Sequence, residues 1–223
     1  MKTYFISGID TDCGKTIVTG LIAKYLLSTG VKVITQKMVQ TGTEDIADDI
    51  IEHRKIMGVS LYDEDRDKTT CPYVFKLPAS PHLSAKLENI TIQSSVIDGS
   101  TNTLQNKYDV VLLEGAGGLH VPINSDENII DFVEQRKYPL ILVTSAKLGS
   151  INHTLMSLEI CYHRKINIAG LIYNNYPANN KAIQKDSVEV FQRYLKKYFP
   201  KTPLIEIPYI NIENQEVDFS RIF

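Results

Sequence analysis

Short apolar runs alternate along the 223-residue chain with longer segments whose apolar residues recur at helical spacing. The runs are TYFIS at 3–7, KVIT at 32–35, DVVLLE at 109–114, PLILVT at 139–144 and NIAGLIYN at 167–174, with a weaker PLIEI at 203–207. Several are apolar on successive residues, as strands covered on both faces are. After the first run, Ile17, Leu21, Ala23, Tyr25 and Leu26 share a broad helical face, and Gly30 supplies a stop. Comparable helices are expected around 44–57, 127–136, 151–163 and 179–198. Strand then helix, repeated, predicts right-handed crossovers and an α/β fold: a mostly parallel sheet with helices on both faces. No internal repeat or low-complexity linker interrupts the pattern, so residues 1–223 read as one domain. Ligands of such sheets sit beyond the carboxyl ends of the strands.

Composition narrows the partners. With 43% hydrophobic residues the chain can bury a sizeable core, and a formal net charge of −2 supplies no basic field for nucleic acid or an anionic membrane. Small molecules and protein partners remain. Cys13, Cys71 and Cys161 form an odd, widely spaced set without CxxC or Cys/His spacing, which points to a reducing compartment and no structural zinc. The start MKTYFISGID carries no signal-peptide pattern, and no apolar run approaches the roughly 20 residues of a membrane span. A cytoplasmic location is expected.

The first strand-end segment, GIDTDCGKT at 8–16, resembles a phosphate loop with one residue too many: five residues separate Gly8 from Gly14, where the common pattern has four. Its position between a strand and a helix lets backbone N–H groups and the helix N-terminus converge on a phosphate. Lys15 would reach the terminal phosphates and the Thr16 hydroxyl a magnesium ion, which makes the expected fold P-loop NTPase-like. Asp10 and Asp12 must then point away from the phosphates or meet a cation. DVVLLEGAGG brings Glu114 to a strand end ahead of Gly115, Gly117 and Gly118, as a Walker B acid would stand. A further acid is available in TEDIADDIIEH, from Glu44, Asp48 or Asp49. QKMVQTG offers Lys37 and Thr41, and TSAKLGSINH places Gly149, Ser150 and Asn152 at a helix start. The five histidines lack zinc-protease spacing and read as structural or surface residues.

In this order GIDTDCGKT, KMVQTG, VLLEGAGG, KLGSINH, YNN at 173–175 and EIPYI at 206–210 resemble the dethiobiotin synthetase family over nearly the whole chain. The loop with five intervening residues is that family's own version, and its SPH segment is matched by Ser80, Pro81 and His82. The resemblance implies an ATP- and Mg2+-dependent ligase that carboxylates 7,8-diaminopelargonic acid with CO2 and closes a ureido ring. It implies that Thr11, Asp12, Cys13, Gly14, Lys15, Thr16 and Ile17 wrap the nucleotide with Glu114 and Gly117, and that Asn174, Pro208 and Tyr209 read the purine. Magnesium falls to Thr16, Asp49 and Glu114; Asp49 is preferred to Asp48 because the family's acid directly precedes apolar helix residues, here Ile50 and Ile51. Lys37, Lys15 and Thr11 are the implied catalytic groups. Thr41, Gly118 and, from the other subunit of a homodimer, Gly149, Ser150, Ile151 and Asn152 would hold the substrate.

Two rivals share parts of this pattern. NKYD at 106–109 matches a guanine-reading motif, but it enters a strand at the wrong end to meet a nucleotide. A partition-type ATPase, a binding module, is expected to carry a second lysine in its loop, where this chain has Ile9 and Asp10. FQRYLKKYF at 191–199 reads as a helix with a solvated basic face.

Overall fold

The computed structural model describes residues 1–176, 180–208 and 216–223. Six parallel strands form the main sheet: β1 (Lys2–Gly8), β2 (Val33–Lys37), β5 (Val110–Gly118), β6 (Leu140–Ser145), β7 (Ile168–Asn174) and β8 (Leu204–Ile207), in the order β2-β5-β1-β6-β7-β8. The apolar runs therefore become strands as expected, each within two residues of its predicted start. Alternate side chains of each strand serve opposite layers. Tyr4 and Ile6 of β1, Leu112 of β5 and Ile141 and Val143 of β6 pack with α1 (Lys15–Ser28) and the end of α2 (Asp48–Met57). Phe5, Leu113, Leu140 and Leu142 pack on the other side with α5 (Ser94–Gln105), α6 (Ile129–Arg136), α7 (Ser150–His163) and α8 (Lys181–Tyr198). The helices thus cover both faces.

Several elements depart from the pattern reading. α2 begins at Asp48 rather than near 44, because Gln40–Thr41 (β3) first pairs with Val74–Phe75 (β4) in a separate two-stranded sheet and Gly42 turns the chain at φ 90°. Gln40 Oε1 then accepts the Asp49 backbone N–H at 3.3 Å. Asp48 and Asp49 lie in the first turn, where the macrodipole favours acids. The short α3 (Asp63–Arg66) and α4 (Pro81–Leu87), and the longer α5, lie outside the expected helices. In α5, SSVIDGSTNTLQ, serines, threonines and Gly99 are poor helix formers, yet Ile97, Thr101 and Leu104 are buried. Burial of that one stripe overrides propensity. Among the described residues, no helix is long and apolar enough to cross a membrane.

Candidate active site

The loop after β1 shows why its sequence is so restricted. Gly14 stands at φ 96°, and a Cβ there would lie 2.2 Å from Asn174 Nδ2. A Cβ on Gly8 would lie 2.3 Å from Cys13 Sγ, so the buried cysteine packs directly over the glycine. No other residue pair fits those contacts without moving the loop. Asp10 does not face a phosphate position: its carboxylate accepts the Thr11 backbone N–H at 2.8 Å, and its carbonyl accepts Lys15 Nζ at 2.9 Å. Asp12, exposed and left-handed at φ 56°, lines a cleft of about 1360 Å³ together with Thr11, Gly14, Lys15, Thr16 and Ile17. Cys13 does not line it, but its carbonyl accepts from Asn174 Nδ2 at 3.1 Å and so ties the loop to β7.

Three elements meet on the opposite wall. Lys37 closes β2, and Glu114 lies beside it in the sheet register. β5 continues to Gly118, so Glu114 sits within the strand rather than at its end. Lys37 Nζ donates to Glu114 Oε1 and to the Gly115 carbonyl, both at 2.9 Å, and lies 2.5 Å from Asp49 Oδ2. Thr16 Oγ1 donates to the same Glu114 oxygen at 3.3 Å. Of the three candidate acids, Asp49 lines the cleft, while Asp48 and Glu44 are exposed and do not, Glu44 pairing with Lys76 instead. Burial alone would raise the Glu114 carboxyl, but the Lys37 ammonium and the His53 hydrogen bond outweigh it and hold the group far below the usual carboxylate range. Burial alone would lower Lys37; the charges of Glu114 and Asp49 outweigh it and hold the ammonium above the usual lysine range.

These donors fit a hard divalent cation. Two carboxylates and a hydroxyl are oxygen ligands, and the Lys37 ammonium between the carboxylates marks a place that favours positive charge. Among the described residues, no cluster of three or more His, Cys, Asp and Glu side chains could hold a metal alone.

Thr41, Gly117, Asn174 and Pro208 also line the cleft, as do Ser80 and Pro81, whereas His82 is exposed. Gly118 instead faces a neighbouring cavity of about 560 Å³ with Asp10, His120 and His153. Gly149 and Asn152 are exposed, Ser150 is buried and Ile151 half-buried, and none of these four lines the cleft of its own chain. Tyr209 lies outside the described residues. One residue at the site was not anticipated by its pattern: His53 is fully buried, with Nε2 2.9 Å from Glu114 Oε2. Its spacing of four puts it on the same face of α2 as Asp49, but no local pattern marks a histidine there as a partner of Glu114. Lys107 of the NKYD segment pairs with Glu64 ahead of β5 and does not line the cleft.

A family model described as an AAA domain matches residues 2–216. A protein of Pasteurella multocida (strain Pm70) named ATP-dependent dethiobiotin synthetase BioD 2 is 53% identical over 201 residues, covering 90% of this chain and 94% of that protein. One of Chlorobaculum tepidum named ATP-dependent dethiobiotin synthetase BioD is 47% identical over 218 residues, covering 97% and 91%. Among solved structures, the signal recognition particle receptor FtsY of Elizabethkingia anophelis in complex with GDP is similar with a TM-score of 0.58 at 14% identity, covering 99% of this chain and 61% of that one. MinD of Aquifex aeolicus is similar with a TM-score of 0.56 at 16% identity, covering 94% and 83%. The last two likenesses concern the fold, which is that of P-loop NTPases. With 53% identity to one relative across an alignment that spans nine-tenths of its length, the chain belongs to the ATP-dependent dethiobiotin synthetase family of ligases.

Proposed function

We propose that the cleft carboxylates 7,8-diaminopelargonic acid and closes its ureido ring at the expense of ATP. One amine attacks CO2, losing a proton, to give a carbamate. A carbamate oxygen attacks the γ-phosphorus and ADP leaves. The second amine then attacks the carbonyl carbon of the mixed anhydride, and phosphate departs with the ring closed. The observation that supports this reading is the Lys37 ammonium clamped between Asp49 and Glu114 beside Thr16 and Lys15 in one cleft.

Phosphoryl transfer demands positioning and charge stabilisation more than covalent help from the protein. The loop N–H groups from Gly14 to Ile17 and Lys15 Nζ cradle the phosphates, and Lys15 exchanges the Asp10 carbonyl for a phosphoryl oxygen. Bound Mg2+, held by Thr16, Asp49 and Glu114, would neutralise charge on the phosphates. Lys37 turns from the carboxylates toward the carbamate and the γ-phosphoryl, with Thr11 and Thr41 fixing the diamine end. Asn174 and Pro208 meet the purine. The Gly149–Asn152 segment, exposed at Gly149 and Asn152 and outside the cleft of its own chain, fits a homodimer in which it holds the distant carboxylate of a partner's substrate.

The test is ring closure in bicarbonate and Mg2+ with diaminopelargonate and each nucleoside triphosphate in turn. Dethiobiotin formed with release of ADP is the expected result. Nucleotide hydrolysis indifferent to diaminopelargonate, with no dethiobiotin from any nucleotide, would instead favour a partition-type ATPase and sink the assignment.

A further inference from the structure

Glu114 is gripped from two sides. Oε1 meets Thr16 and Lys37 at the cleft, while Oε2 meets His53 Nε2 at 2.9 Å. The proposed chemistry makes no use of His53, and packing alone does not call for a buried imidazole where an apolar side chain would fill the space. Behind the ring the contacts continue. His53 Nδ1 lies 3.1 Å from Thr35 Oγ1, which accepts Arg54 Nη1 at 2.8 Å. Arg54 is fixed in turn by Asp65 through Nε and Nη2, both at 2.8 Å, and Asp65 also accepts from Thr70 Oγ1 and the Tyr62 N–H, each at 2.8 Å.

The chemistry of its two ends gives this chain a direction. A guanidinium only donates and an ionised carboxylate only accepts. Arg54 therefore donates to Thr35 and the ring carries a hydrogen on Nε2 for Glu114; where that is the ring's one hydrogen, the Thr35 hydroxyl passes its own to His53 Nδ1. Each member has one role, so the imidazole plane and the carboxylate torsion are set together. Asp49 and His53 are also one helical turn apart on α2. One helix thus supplies an acid to the cleft and the group that orients the acid facing it.

We propose that His53 is a positioning residue for the site's cation: its Nε2–H pins Glu114 Oε2 so that Oε1 is presented to the cleft in a single orientation. The proposal rests on the reading of Glu114 as a magnesium ligand. Partners that orient metal-binding side chains commonly change metal affinity by about 10–100-fold when removed.

The experiment titrates Mn2+, followed by its EPR signal, into protein saturated with a non-hydrolysable ATP analogue. The native chain is compared with Glu114→Gln, His53→Leu, His53→Gln and His53→Asn. Glu114→Gln and His53→Leu should raise the midpoint, the latter by about 10–100-fold. His53→Gln should recover most of the affinity, because its amide N–H reaches the place of Nε2. His53→Asn should not, because its amide ends at the place of Nδ1. A Glu114→Gln protein with a native midpoint would overturn the metal reading and the proposal with it. A raised Glu114→Gln midpoint beside a native one for folded His53→Leu or His53→Asn would overturn the role of His53 alone, as would equal losses in His53→Gln and His53→Asn. If the His53 variants do not fold, long-range 1H–15N spectra of the native protein decide: hydrogen on Nε2 is expected, and a ring with hydrogen on Nδ1 and none on Nε2 overturns the proposal.

Discussion

Lys15 rests on the Asp10 carbonyl, a neutral partner, and nothing in that contact holds it as firmly as two acids hold Lys37. Its replacement should therefore reveal its role in chemistry without a large structural cost. Lys15→Ala is expected to lose about 2.7–4 kcal/mol of transition-state stabilisation, as removal of one preorganised electrostatic donor does, read as a fall in kcat. Normal turnover would exclude it from the site. The two neighbouring acids make a sharper pair. Asp49→Asn should raise the magnesium requirement and Asp48→Asn, exposed outside the cleft, should leave it unchanged; the reverse ranking in a magnesium titration would refute the assignment. Burial pushes the Cys71 and Cys161 thiols up to about 12 from the ordinary 9.0. Between those values the native state keeps protons that the unfolded chain has lost, so stability should fall as pH rises from about 9 toward 12. A urea midpoint that is level or rises between pH 8 and pH 10 would contradict this. At this scale the phosphate loop, Lys37 and Glu114 stand out in the sequence because apolar strand runs lead into them, whereas only the family resemblance separates Asp49, in the first turn of α2, from Asp48 and Glu44. His53 does not stand out, since nothing local distinguishes a histidine that orients an acid from one that merely fills a core.

Helix α1 approaches α2 at Gly20, where a Cβ would lie 2.8 Å from Ile56 Cδ1 and 2.9 Å from Ile56 Cβ. Gly20→Ala would ordinarily strengthen a helix by about 1 kcal/mol. Here overpacking should reverse the sign, with a net loss of about 1–3 kcal/mol in urea unfolding. Because α2 also carries Asp49 and His53, the same substitution should raise the magnesium requirement; a more stable variant with native metal dependence would show that the helices separate freely. The elements legible in sequence were those with long apolar runs or broad stripes. α4, α5 and the small β3–β4 sheet were missed because their local preferences are weak and their existence depends on burial against distant residues, as Ile97 and Leu104 do. The helix expected from near 44 begins at Asp48, after a strand pairing of Gln40–Thr41 with β4, more than thirty residues along the chain, that no local pattern shows.

For the whole molecule, the Gly149–Asn152 segment and the cleft belong to different places on one chain, so a shared site makes a definite claim about pairs of chains. A dimer mixing Lys15→Ala with Asn152→Ala chains would hold one doubly damaged site and one intact site. Co-refolding the two weak variants should give more activity than the sum of each refolded alone. No gain, with mixed dimers verified by mass, would leave Asn152 as an exposed side chain in the first turn of α7, where Gly149 rather than a serine or asparagine is the N-cap. The strand order also has a meaning for biosynthesis. β1 and β2 are not neighbours; β5 lies between them and pairs with both. Among the described residues, then, no strand pair of the main sheet can form until Val110 has been made, and the first strand waits beside an empty place for half the protein. A growing chain arrested before that point exposes Phe5, Ile6 and Ile34 with no sheet to receive them, and is the form of this protein that most needs a chaperone.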